Sequence, residues 1–290
     1  MARSLMIAVL LATTATNVQA QTSGGPPIAY AKVAGSGQEI YLVNPDGSGL
    51  KKIYATPAKR SVAWLDLKPG GGEVAWVEAG SGSPRQIKIL SLDGAGNPVG
   101  SPRALVGPCA PDTVDYHPTG PLLIISDICS QNPRIASVGT DGTGYSILVS
   151  GSAYLNKARW LRDGVSYVYV RAPVDGGPLQ ICRNSCDPGQ NELLMTVNGL
   201  LRMDVGRTAE TIIFDDGGSY TTEIDAMIGA VLRSNFISGT NGHYSPDDSR
   251  ILYKTPHQAR GDYLQIYDSQ SNSSARLTAK GDYSSTDWRN

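Results

Sequence analysis

One pattern recurs along this chain of 290 residues and limits its fold more than any other feature. An aromatic or large apolar residue is followed by a polar turn containing Pro, Asp or Gly, and then by a run of β-forming residues. The sharpest copy is His243-Tyr-Ser-Pro-Asp-Asp-Ser-Arg-Ile-Leu-Tyr-Lys254. Arg159-Trp-Leu-Arg-Asp-Gly-Val-Ser-Tyr-Val-Tyr-Val170 and Asp115-Tyr-His-Pro-Thr-Gly-Pro-Leu-Leu-Ile-Ile-Ser126 follow it closely. A copy with a two-residue insertion begins at Ala63-Trp64, and a degenerate one at Arg202-Met203. Taking Trp64, Tyr116, Trp160, Met203, Tyr244 and Trp288 as anchors gives gaps of 52, 44, 43, 41 and 44 residues. A period near 45 residues, with several strands per unit and no sustained helical periodicity, points to a β-propeller.

A second landmark sits inside each unit. Ile40-Tyr-Leu-Val-Asn-Pro-Asp-Gly47, Ile87-Lys-Ile-Leu-Ser-Leu-Asp-Gly94 and Ile135-Ala-Ser-Val-Gly-Thr-Asp-Gly142 are strands that run into Asp-Gly. Gly supplies the positive φ that a tight hairpin needs, so Asp-Gly between extended runs signals a turn into another strand. Each unit then has four strands: an inner one bearing the anchor, a second after the Pro/Asp/Gly turn, a third ending at Asp-Gly, and an outer fourth. The chain ends break the pattern in complementary ways. Ile28-Ala-Tyr-Ala-Lys-Val33, the Ile40 segment and Leu50-Lys-Lys-Ile-Tyr54 supply second, third and fourth strands with no first strand before them. Trp288 marks a first strand with nothing after it. The two pieces add to one blade, so the expected fold is an all-β six-bladed propeller with four antiparallel strands per blade. The C-terminal inner strand would pair with the N-terminal strands, closing the ring and removing exposed sheet edges.

The spaced Tyr-Ser-Pro-Asp unit at Tyr244 to Tyr253 and the Ile-Tyr…Asp-Gly unit at Ile40 to Gly47 resemble the repeats of TolB-like six-bladed propellers of bacterial envelopes. The resemblance is partial at Trp160 and Tyr116 and weakest around Met203. It implies the propeller fold and an envelope setting. In TolB a separate N-terminal α/β domain precedes the propeller, and the expectation here is a propeller without that domain. Trp-Asp repeat propellers match less well, since no unit carries a Trp-Asp dipeptide.

Residues 1–20 have the layout of a secretory signal peptide: basic Arg3, an apolar run from Leu5 to Ala12, and small residues Val18 and Ala20 before Gln21. That run is too short to span about 30 Å of hydrocarbon. The expected mature protein is a single propeller domain over 21–290, exported to the periplasm or secreted, with no membrane span and monomeric. Beyond the leader, 24 basic residues face 26 acidic ones. This near-neutral balance gives no electrostatic case for nucleic acid or anionic membranes.

Four cysteines in an exported chain read first as two disulfides. Cys109 and Cys129 are equidistant from Thr119, the centre of the Pro118–Gly120 hairpin, and so fall opposite each other. Cys182 and Cys186 flank Asn184 at a second hairpin. No further Cys or His is near enough in sequence to make the latter pair a zinc site.

The chemistry-bearing motifs are missing. Neither Gly-x-Ser-x-Gly nor a phosphate-binding Gly-x-x-x-x-Gly-Lys-Ser/Thr loop occurs. Of the three histidines, His117 falls on a turn, His243 beside an anchor near the channel and His257 in a loop, with no pair at ligand spacing. Asp-Gly turns such as Asn44–Gly49 lack the alternating ligands of a calcium loop. No catalytic residue, cofactor or metal is therefore expected. What remains is the longer and more varied second-to-third-strand loops, because binding sites concentrate on loops held by a rigid scaffold. Arg85, Arg171, Asp215, Asp216, His257 and Arg260 are the candidate binding residues there. The expected function is a non-enzymatic scaffold that binds a protein partner through this face. The alternative is an extracellular carbohydrate- or peptide-acting enzyme, or a sugar-binding module, that uses the central channel.

Overall fold

A computed structural model describes residues 26–129, 132–151, 154–173, 177–186, 192–199, 202–215, 220–255, 262–279 and 281–288. These residues form strands and turns without a helix, so none is long and apolar enough to cross a membrane. The strands are β1 (Ile28–Ala34), β2 (Gly37–Val43), β3 (Lys51–Ala55), β4 (Arg60–Leu67), β5 (Glu73–Gly80), β6 (Ser83–Leu92), β7 (Pro98–Ala104) and β8 (Pro111–Tyr116). They continue as β9 (Leu122–Cys129), β10 (Asn132–Gly139), β11 (Ser146–Val149), β12 (Tyr154–Trp160), β13 (Tyr167–Ala172), β14 (Leu179–Arg183), β15 (Leu193–Val197) and β16 (Met203–Val205). The last eight are β17 (Thr211–Asp215), β18 (Tyr220–Asp225), β19 (Val231–Ser238), β20 (Thr240–Tyr244), β21 (Arg250–Thr255), β22 (Tyr263–Asp268), β23 (Ser273–Arg276) and β24 (Tyr283–Trp288).

They pair into six antiparallel four-stranded sheets. Five use consecutive strands, β4 to β7, β8 to β11, β12 to β15, β16 to β19 and β20 to β23. The sixth has the order β24-β1-β2-β3, with Ile28 opposite Trp288 and Ala29 opposite Asp287. The C-terminal strand thus completes the sheet that the N-terminal strands begin, as the unequal chain ends predict. The Trp288 indole nitrogen donates to the Pro26 carbonyl at 3.1 Å, tying the seam.

Packing explains why the strands read as nearly continuous apolar runs. Side chains alternate between the two faces of a strand, and here each face meets a neighbouring sheet. In Ile28-Ala-Tyr-Ala31, Ile28 and Tyr30 join the cluster shared with β21 and β22, while Ala29 and Ala31 join the cluster shared with β4 and β5. Each of the six junctions between neighbouring sheets has its own buried cluster.

Two sequence expectations need correction. The anchors that close the inner strands are Leu67, Tyr116, Trp160, Val205, Tyr244 and Trp288, so Trp64 and Met203 are not equivalent to the others. In β4 a register shift between Val62 and Trp64, followed by a turn with Gly70, Gly71 and Gly72 all at positive φ, moves the strand end three residues past the tryptophan. In β16 the strand is only three residues long and ends on Val205, an apolar residue too small to announce itself. The second correction concerns Arg85 and the connection before it, expected to be one of the longer second-to-third-strand loops. The connection is a tight hairpin rather than a long loop: Gly80 pairs with Ser83, and Gly82 has φ +74°.

Candidate functional site

The residue just before each anchor faces the channel. These are Asp66, Asp115, Arg159, Asp204, His243 and Asp287, each the penultimate residue of its inner strand and all at most 2% exposed. A fully buried charge is costly unless it is paired and hydrogen-bonded. The carboxylates meet that demand by reaching to the next sheet. Asp66 Oδ2 accepts the Tyr116 N–H at 2.7 Å, Asp115 Oδ2 that of Trp160 at 2.8 Å, Asp204 Oδ2 that of Tyr244 at 3.0 Å, and Asp287 Oδ2 that of Leu67 at 2.8 Å.

Arg159 occupies the same position with the opposite charge. Its Nε donates to the Met203 carbonyl at 3.2 Å, again in the next sheet. Its Nη1 lies 3.1 Å from Asp66 Oδ1 and 2.7 Å from Asp115 Oδ1, and its Nη2 lies 3.6 Å from Asp204 Oδ1. His243 Nδ1 sits 3.4 Å from Asp287 Oδ1 and 3.8 Å from Asp204 Oδ2. The six side chains thus form a belt across the channel near the turn that follows each inner strand. Its carboxylates are engaged by backbone donors and by Arg159, so the arrangement braces the blades against one another.

Toward the start of the inner strands the channel has a different lining. Trp64 carries three cationic groups about its ring: Arg202 Cζ at 3.9 Å, Arg159 Cζ at 5.0 Å and Lys157 Nζ at 5.1 Å from the centroid. Arg202 crosses the channel, and its Nη2 donates to the carbonyls of Ala63 at 3.0 Å and Ser284 at 3.2 Å, in two other sheets. Lys157 lies in the irregular stretch of β12 with φ +59°, an unusual backbone for a residue with a Cβ. Burial pushes the Lys157 amine down to about 7, helped by Arg202, Arg159 and Arg85 and opposed by Asp215. Burial likewise brings Arg202 down to about 10, with Arg159 adding to the effect and Asp215 opposing it.

The candidate binding residues scatter relative to this lining. Arg85 is on β6, partly exposed, and pairs with Asp112, which also accepts from Asn156 at 2.6 Å. Arg171 is on β13 and donates to Gln180 at 2.8 Å. Asp215 ends β17, buried in the channel wall, and accepts the Asn241 N–H at 3.1 Å. Asp216, His257 and Arg260 lie outside the described residues. Arg85 and Asp215 both act on Lys157 electrostatically, so two of the six share one neighbourhood, whose centre at Lys157, Arg202 and Trp64 no local sequence motif marks.

Cys109 and Cys129 have their Cα atoms 5.7 Å apart, and Cys182 and Cys186 5.6 Å apart, both within disulfide range. Cys109, Asp127 and Cys129 also cluster closely enough to suggest a metal site. The two sulfurs face each other as a pair, however, and Asp127 accepts the Ala110 N–H at 2.7 Å and the Tyr145 hydroxyl at 3.0 Å, which accounts for all three groups.

No family model and no curated protein sequence matches the chain. Solved structures do. TolB from Acinetobacter baumannii superposes with a TM-score of 0.70 at 17% identity, over 91% of this chain and 66% of that one. The chain therefore spans slightly less than two thirds of that protein's length. A TolB-type protein from Agrobacterium tumefaciens gives 0.67 at 17% identity, over 89% and 93%. An oligogalacturonate lyase from Vibrio parahaemolyticus gives 0.54 at 10% identity, over 83% and 74%. At these identities the likeness concerns architecture: the chain folds as a TolB-like six-bladed β-propeller.

Proposed function

We propose that this protein is an exported, non-enzymatic scaffold that binds a protein partner on the face where the inner strands begin. The observation that carries this reading is the use made of the channel belt. Its four carboxylates, groups of the kind that could do acid–base work, are buried and accept backbone N–H groups from neighbouring sheets. A general base must be able to reach the proton it abstracts, and these groups are committed to holding blades together. The likeness to TolB proteins fits a scaffold, and the leader-like residues 1–20 with two cysteine pairs at disulfide range fit an oxidising compartment outside the cytoplasm.

The opposite face consists of short turns. There His117 Nδ1 accepts the N–H groups of Thr119 and Gly120, and its Nε2 meets the Gly164 carbonyl at 2.7 Å, which makes it a clasp between blades. A photo-reactive amino acid at Arg85 should cross-link one protein in the native cell envelope, while the same group at Thr119 on the turn face should not. Cross-linking from Thr119 alone, or from neither position, would count against this reading.

A further inference from the structure

Trp64, Lys157 and Arg202 come from three different blades and meet in the channel on the side of the proposed binding face. Three features of this meeting are unexplained by folding alone. First, two cationic side chains are brought together with no carboxylate in ion-pair contact with either among the described residues, Asp215 offsetting them only at longer range. Second, the Trp64 indole N–H is buried with no acceptor. A buried donor left unpaired is costly, because it loses its hydrogen bond to water without gaining another. The indoles of Trp76 and Trp160 are unpaired as well, but among the described residues neither ring carries a cation. Third, Lys157 is held at φ +59°. Strain of this kind in a residue with a Cβ persists where the surroundings impose it, and it concentrates at ligand sites.

The first two features are surpluses of one kind, positive charge and an N–H donor without an acceptor. We propose that this end of the channel is an oxyanion-binding site, in which Lys157, Arg202 and the Trp64 indole take a carboxylate, phosphate or sulfate group of a small molecule. Such a group supplies the missing acceptors and the missing negative charge together. A guanidinium and an ammonium on one wall suit an oxyanion, the guanidinium by its planar donors and the ammonium as a point charge. The site does not depend on a protein partner and goes beyond the scaffold reading.

The charged groups facing Lys157 are Arg202 before β16, Arg159 on the same strand, Arg85 on β6 and Asp215 on β17. An amine depressed to about 7 is only partly protonated at neutral pH, and a bound anion would favour its charged form. Binding should therefore weaken as pH rises from 6 to 8.5, by up to about thirtyfold, the ratio of the charged fractions of the amine at the two pH values.

The test uses the full mature chain with sulfate, whose charge is constant over this range, and with acetate as the carboxylate arm. Each is compared with chloride at matched ionic strength by calorimetry and by thermal unfolding. Sulfate should bind and raise the midpoint; acetate tells whether a planar carboxylate is accepted as well. Lys157→Asn removes the cation while keeping a residue that tolerates this backbone, and it should lower sulfate affinity at least tenfold. As a second readout on the unaltered protein, amine-directed labelling at pH 7 followed by peptide mass spectrometry should modify Lys157 ahead of the other lysines, and sulfate should protect it. Equal behaviour of sulfate, acetate and chloride, unchanged sulfate affinity in Lys157→Asn, or labelling of Lys157 unaffected by sulfate would each overturn the proposal.

Discussion

Asp66 Oδ2 accepts the backbone N–H of Tyr116 at 2.7 Å, and the two residues are in adjacent blades, each at or next to the end of its inner strand. The same step recurs from Asp115 to Trp160, from Asp204 to Tyr244 and from Asp287 to Leu67. In four of the six blades the polar residue before the anchor therefore clips its own blade to the next anchor's backbone. Arg159 makes the corresponding link to Met203 with donor and acceptor exchanged.

This belt should dominate stability. Asp115 accepts from both Trp160 N–H and Arg159 Nη1, so Asp115→Ala leaves a buried guanidinium and a buried amide short of an acceptor. Breaking one side of a buried pair costs about 3–5 kcal/mol. Urea denaturation should show that loss, and a cost below about 1 kcal/mol would mean that the belt does not brace the ring.

Lys157 should make stability depend on pH in a defined direction. Its amine falls to about 7 in the folded protein from an ordinary 10.5, so between those values the unfolded chain binds more protons. Stability from this group then rises as pH increases from about 7 to about 10, and below about 7 the full penalty applies. Lys157→Asn should be more stable than the parent at pH 7 by roughly 2–4 kcal/mol, with the gap narrowing toward pH 10. A constant gap would mean that the lysine is not strained by its charge.

Trp288 is fully buried and pairs with Ile28 across the seam. Trp288→Ala removes a large side chain from the junction cluster with β21 and β22 and should cost about 3–5 kcal/mol. Calorimetry should find a lowered midpoint, whereas an unchanged one would place Trp288 outside the core.

The cysteine pairs close short loops, with separations of 20 and 4 residues. Oxidised protein should resist alkylation until reduced. Removing the pair at Cys109 and Cys129 as a double serine variant should cost about 3 kcal/mol on the chain-entropy model. Alkylation of all four thiols without reductant would show that the bridges do not form.

The architecture could be read from the sequence because it is written as a period. Tyr116, Trp160, Tyr244 and Trp288 are bulky and regularly spaced, and the chain ends supply complementary strands. Leu67 and Val205 escaped because an ordinary aliphatic residue does not stand out beside a nearby Trp64 or Met203. The polar belt was present one residue before each anchor, but four Asp, one Arg and one His do not look alike as a repeat. They become equivalent only once strand ends are aligned in space. The cluster of Trp64, Lys157 and Arg202 was less visible still, since its members come from three blades and nothing in their local sequence links them.

Closure of the ring by β24 underlies every other inference and is most directly tested by native-state hydrogen exchange. Amides of Tyr283–Trp288 should be as strongly protected as those of Ile28–Ala34 and should open with them in one cooperative event. Fast exchange of the C-terminal segment while the N-terminal strands stay protected would contradict the shared blade and, with it, the belt and the channel site.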